Sequence, residues 1–142
     1  MNRFSRLVEL RRLKEEIKGS YFALALGKVQ KLEQEKIRLE NDMEQVRQTE
    51  LQESLQPENR LPPKLLEDYF KGQKWRLRRL QQVRHQANLE MERTRQIWNQ
   101  ARVELKQSEK LAERADEEYK SEQHKREIKE MDIVGIMASM RR

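Results

Sequence analysis

Between Phe70 and Tyr119 every seventh residue but one is apolar: Phe70, Leu77, Arg84, Met91, Trp98, Leu105, Ala112 and Tyr119. Three places after each of the first seven comes a second row, Gln73, Leu80, Ala87, Thr94, Ala101, Ser108 and Ala115. Rows that alternate by three and four residues form the a/d seam of a coiled-coil helix. A globular core does not repeat through seven heptads without a breaker. The repeat predicts an elongated all-α chain, with function sought at helix ends and outward faces.

Composition agrees with that reading. Of 142 residues, 39% are charged and 35% hydrophobic, with mean hydropathy −1.14. Such values approach those of disordered chains. Here, however, more than half of the residues are Ala, Glu, Lys, Arg or Leu, which with a 3.5-residue period marks long helices. Four glycines and three prolines leave little material for strands or tight turns. There is no cysteine, so disulfides and thiolate metal sites are excluded. The first ten residues lack the apolar stretch of a secretory signal, and the densest apolar runs, 21–26 and 131–140, are too short to span a bilayer. A cytoplasmic chain is expected.

The first half also reads as helix, with apolar or small residues at Leu10, Leu13, Ile17, Tyr21, Ala25, Val29, Leu32, Leu39, Met43 and Val46. The steps 17-21-25-29 are successive fours, which predicts a slip toward an eleven-residue repeat and local unwinding of the supercoil. Gly19 and Gly27 fall there, each expected to cost a helix about 1 kcal/mol relative to alanine. All three prolines lie in 57–63. Pro62 and Pro63 suit the opening of a second helix, and Glu67 and Asp68 favour its dipole. The expected fold is therefore one antiparallel coiled-coil hairpin, with helix 1 over about 3–53, a turn over 54–62 and helix 2 over about 63–138.

With the turn centred near residues 58 and 59, the numbers of facing residues add to about 117. Val46 then faces the Phe70 region and Leu32 the Arg84 region. Arg84, the interruption in the apolar row, is expected to pair with Glu33 or Glu35. Small residues on both helices (Gly19, Ser20, Ala23, Ala25 and Gly27 against Ala87, Thr94 and Ala101) predict close backbone approach. The same rule leaves helix 2 unpaired beyond about residue 114, an overhang of roughly 35–40 Å at 1.5 Å per residue. Trp98 reads as core, while Tyr119 continues the seam past the expected end of helix 1.

Two surfaces stand out. Residues 60–84 hold Arg60, Lys64, Lys71, Lys74, Arg76, Arg78, Arg79 and Arg84 against Glu67 and Asp68, which accounts for the whole net charge of +6. Trp75 lies at an outer heptad position with Lys71, Lys74, Arg78 and Arg79 around it. Three readings apply: arginine stems covering a tryptophan on a solvated face, a dock for an acidic protein surface, or a basic arm gripping nucleic acid. Nucleic acid is disfavoured, because one tryptophan is no stacking platform. The second surface is 131–140, where Ile133, Val134, Ile136, Met137 and Met140 cover much of a helix with no expected partner in the chain. Exposed apolar patches mark interaction sites and methionine adapts to varied surfaces; the alternative is a tail that folds back or frays.

Nothing indicates an enzyme, a metal or a cofactor. His85 and His124 are the only histidines and fit no ligand spacing. No glycine-rich phosphate loop is present, and an elongated helical chain lacks the enclosure that catalytic groups need.

Three places resemble the FliJ family of flagellar type III export proteins and their YscO-like counterparts in virulence secretion. The start, Phe4-Ser5-Arg6-Leu7-Val8-Glu9-Leu10-Arg11-Arg12, is similar to the family's opening pattern. The hairpin with uneven helices is similar in size and layout. Glu127-Ile128-Lys129-Glu130-Met131-Asp132 resembles the family's closing Lys-x-x-Asp signature, although Ile133 stands where an acidic residue often follows. The resemblance implies a stalk-like regulator set in the pore of a hexameric export ATPase, which also contacts the cytoplasmic domain of the export gate and export chaperones. It implies a chain peripheral at the inner-membrane export apparatus and not inserted. The ATPase-facing end would be Phe4, Leu7, Leu10 and Arg11 with Met131, Asp132, Ile133, Ile136, Met137 and Met140. The face of Lys71, Lys74, Trp75, Arg78 and Arg79 would be left for gate or chaperones. The rival readings are a basic coiled-coil arm for nucleic acid and a self-associating structural coiled coil.

Overall fold

A computed structural model describes residues 3–53, 55, 58 and 61–141. Two helices pack against each other as a hairpin: α1, Ser5–Glu53, and α2, Pro63–Met140. No strand occurs among the described residues, and no helix among them is long and apolar enough to cross a membrane. Most of the expected turn, together with Arg60 and Arg142, lies outside the described residues.

Local chemistry sets the helix ends. The Val8 N–H donates to the Phe4 carbonyl at 3.0 Å and opens α1. Near its end, the Leu55 N–H reaches only back to the Gln52 carbonyl, a tightened final turn that occupies a carbonyl the helix leaves open. Pro62 offers its carbonyl to the N–H groups of Leu65 and Leu66, which puts Pro63 at the first helical position. Proline is suited there, since that N–H has no helical partner and its φ is already set.

Contacts along the hairpin gather in two units, Gly19–Ile97 and Met1–Lys18 with Trp98–Arg142. In Gly19–Ile97, Gln73, Leu80 and Ala87 of α2 are buried, as is Met43 of α1. Phe70, Leu77, Arg84 and Met91 of the first heptad row are only half-buried. The row of Gln73, Leu80 and Ala87 is thus covered more fully than the row of Phe70, Leu77, Arg84 and Met91. The pairing register holds: Arg84 pairs with Glu33, and the Arg47 guanidinium lies 5.4 Å from the Phe70 ring centroid. In the other unit, Ala101 and Ser108 are the buried positions, with Trp98, Leu105 and Ala112 half-buried. Ser108 can occupy a seam because its hydroxyl donates to the Glu104 carbonyl of its own helix, leaving no unmet donor.

The first half departs from the expected slip. Leu10, Leu13, Ile17 and Tyr21 are 59%, 54%, 44% and 54% exposed, so they do not carry the seam. In Gly19–Ile97, the half-buried or buried positions of α1 instead include Phe22, Ala25, Val29, Leu32, Lys36, Leu39, Met43, Val46, Glu50 and Glu53. Those steps alternate four and three throughout. In the other unit the same spacing runs through Phe4, Val8, Arg11, Glu15 and Lys18. There is no eleven-residue interruption. Charged residues hold several seam positions, burying their stems while their heads reach partners at the margin. A search for apolar residues alone therefore jumped to the neighbouring stripe.

The expected close approach through small residues also fails in part. Ser20 and Ala23 face outward, and a Cβ placed on Gly27 meets nothing within 4 Å. Gly27→Ala is accordingly expected to stabilise α1 by about 0.5–1 kcal/mol, since alanine restricts the unfolded chain without a clash. A rise in the thermal midpoint followed by circular dichroism checks this; a fall would mean that a neighbour does approach Gly27.

Candidate interaction surfaces

The start of α1 is engaged with α2. Arg11 Nη1 and Lys14 Nζ converge on the Glu104 carboxylate at 2.6 and 3.1 Å, and Arg12 reaches Glu109 at 3.7 Å. The hydrogen bond from Lys14, joined by the charges of Lys14 and Arg11, holds the Glu104 carboxyl below its ordinary value against an opposing desolvation. Trp98 donates its indole N–H to Glu15 at 2.9 Å and carries the Arg102 guanidinium 4.9 Å from its ring centroid. The tryptophan is thus a seam residue with a satisfied polar edge.

Contact with α1 runs slightly further along α2 than the pairing rule predicts. Arg3 and Ser5 share an open cleft with Ala115, Asp116, Glu118, Tyr119 and Glu122. Every described residue from His124 onward is exposed. The free end of α2 thus starts nearly three turns later than residue 114 and extends roughly 25 Å to Met140 at 1.5 Å per residue.

That free end remains helical through Met140 and is wholly exposed. Met131 is 73% exposed and Met140 82%, with Ile133, Val134, Ile136 and Met137 all above half. At 100° per residue, Ile133, Val134, Ile136, Met137 and Met140 fill one broad arc, and Asp132, Gly135 and Ser139 fill the other side. The alternative of a tail folded back on the helices does not occur.

The residues assigned to one ATPase-facing end do not form one surface. Phe4, Leu7 and Arg11 are half-buried, and Arg11 is tied to Glu104. Met131 lies 27 residues beyond Glu104 on the same helix, roughly 40 Å at 1.5 Å per residue. Of Phe4, Leu7, Leu10 and Arg11, only Leu10 faces solvent. Leu13 and Ile17, expected with Leu10 on the apolar row of the first helix, lie with it on an outward face. Carrying the heptad back from Val46 in strict threes and fours would have revealed it.

The basic face lies on α2 within Gly19–Ile97. Trp75 is 61% exposed, with the Arg79 guanidinium 5.9 Å from its ring centroid. Lys71 pairs with Glu67 at 3.0 Å, one turn earlier. Lys74 and Arg78 are exposed, and neither pairs with a carboxylate among the described residues. Arg84 does not share in this face: it turns inward to Glu33, and its Nε is buried without a hydrogen-bond partner. Near the turn an open apolar groove of about 390 Å³ is lined by Val46, Leu61, Leu65, Leu66, Asp68 and Tyr69.

No protein-family model, curated protein or solved structure matches this chain.

Proposed function

We propose that this chain is a FliJ-like component of a type III, flagellar-type export apparatus, a stalk-like regulator of the hexameric export ATPase that also links it to the export gate and chaperones. The observation that supports this reading most is the free end of α2, a solvated helix that closes in an apolar arc with no partner in its own unit. A soluble helix keeps such a surface exposed only where a partner takes it up. The docking element is the α2 end itself, from Met131 to Met140, because Phe4, Leu7 and Arg11 are already engaged along the hairpin. The export ATPase is proposed as the partner on the opening and closing motifs that resemble the family. The chain would act in the cytoplasm, peripheral to the membrane.

The test is direct. Purified chain mixed with a hexameric export ATPase is expected to copurify and to raise ATP turnover; neither effect at micromolar concentration would refute the reading.

The face around Trp75 serves the second contact, with an acidic surface on gate or chaperone. Replacing Lys74, Arg78 and Arg79 by glutamine is expected to leave ATPase stimulation intact. Binding to the gate's cytoplasmic domain or to a chaperone should weaken roughly tenfold or more, with a reduced salt dependence. If the wild-type chain binds RNA at low salt and the triple variant does not, the basic-arm reading takes its place.

A further inference from the structure

Methionine is distributed unevenly between exposed and buried sites in this chain. Met131, Met137 and Met140 are 73%, 57% and 82% exposed within ten residues of the α2 end, whereas Met43 is 6% exposed and Met91 is half-buried. The chain contains no cysteine, so the thioethers are its principal targets for peroxide. Two of the three exposed sulfurs, those of Met137 and Met140, lie in the apolar arc with Ile133 and Ile136.

We infer that Met131, Met137 and Met140 form a site of reversible peroxide oxidation that switches the α2 end from a docking surface to a solvated one. The chemistry is a two-electron transfer. A thioether lone pair attacks one peroxide oxygen, the O–O bond breaks, and the departing hydroxide takes the remaining proton to leave as water. Sulfur is oxidised to the sulfoxide and hydrogen peroxide is reduced. The product carries a strongly polar S=O group in place of a soft apolar sulfur, and methionine sulfoxide reductases reverse the change. Met43 is shielded in the hairpin and Met91 half-shielded, so the exposed sulfurs at the α2 end react first.

An S=O buried against an apolar partner without a hydrogen bond costs docking roughly tenfold or more per residue. Because this regulation rests on the α2 end being the docking element, the experiment separates the two. The full-length chain is treated with millimolar hydrogen peroxide and followed in three ways. Peptide mass mapping is expected to show sulfoxide at 131, 137 and 140 well before 43; equal rates at Met43 would overturn the site. Retention on a hydrophobic column is expected to fall, to return after reductase treatment, and to be insensitive to peroxide in M131L/M137L/M140L; unchanged retention of the oxidised wild type would overturn the switch. Copurification with the export ATPase is expected to follow the same pattern. If oxidised and reduced wild type bind that ATPase equally, the regulation is wrong. If the untreated chain does not bind it, the assigned function fails while mapping and retention still decide the oxidation site.

Discussion

Deletion of residues 131–142 is expected to abolish both copurification with the export ATPase and stimulation of its turnover, with helicity and thermal midpoint almost unchanged. The reason is geometric. Every described residue from His124 onward is exposed, so removing the last turns takes away no packing on which the hairpin depends. The docking loss should be large. Fully burying side chains such as Ile133, Val134, Ile136 and Met137 contributes about 1.5–3 kcal/mol each, and losing even two of them weakens binding by roughly a hundredfold or more. Ile136→Asp tests the same surface without shortening the chain, since it puts an unpaired carboxylate into the centre of the arc. A truncated chain that stimulates as well as the intact one would show that the α2 end is not the docking element.

The second large effect concerns stability. Leu80→Ala is expected to destabilise the hairpin by about 2–4 kcal/mol, the usual cost of truncating a covered leucine. Leu80 is one of few large apolar side chains that α2 buries in Gly19–Ile97, so its loss has little to compensate it. Leu10→Ala is expected to change stability by less than about 0.5 kcal/mol, because Leu10 is 59% exposed. Thermal unfolding of both variants distinguishes them. Equal losses would mean that the seam passes through Leu10 after all, with the slip that α1's apolar pattern suggested.

The contrast between these leucines shows how much of the fold was legible. In α2 the heptad was clear, because Leu77, Leu80, Ala87, Met91, Trp98 and Ala101 place apolar groups where the seam runs. In α1 several seam positions carry charge. Arg11 lies against α2 with its guanidinium on Glu104, and Glu15 accepts from the Trp98 indole. A hydrophobic pattern cannot register such residues, and it followed Leu10, Leu13, Ile17 and Tyr21 onto the solvent side. Arg84 was legible for the opposite reason. As a single charge within an otherwise apolar row, it required a partner, and the pairing rule placed Glu33 opposite.

The candidate surfaces divide in the same way. Both the apolar end of α2 and the basic face around Trp75 could be read from composition alone, since they are local concentrations of one residue type. Grouping Phe4, Leu7 and Arg11 with Met131 relied on the family resemblance, not on contact. Along α2 the distance from Glu104, where Arg11 is held, to Met131 keeps Arg11 apart from it.

Two long helices, a proline-marked break between them and their antiparallel register follow from the sequence by itself. They depend on local propensity, on proline's missing N–H, and on a repeat matched to the helical period. Tertiary structure alone decided which stripe of α1 is covered, how far α1 accompanies α2, and which apolar residues remain for a partner. Those outcomes depend on where charged heads find counter-charges across the interface, and no periodicity within one helix carries that information.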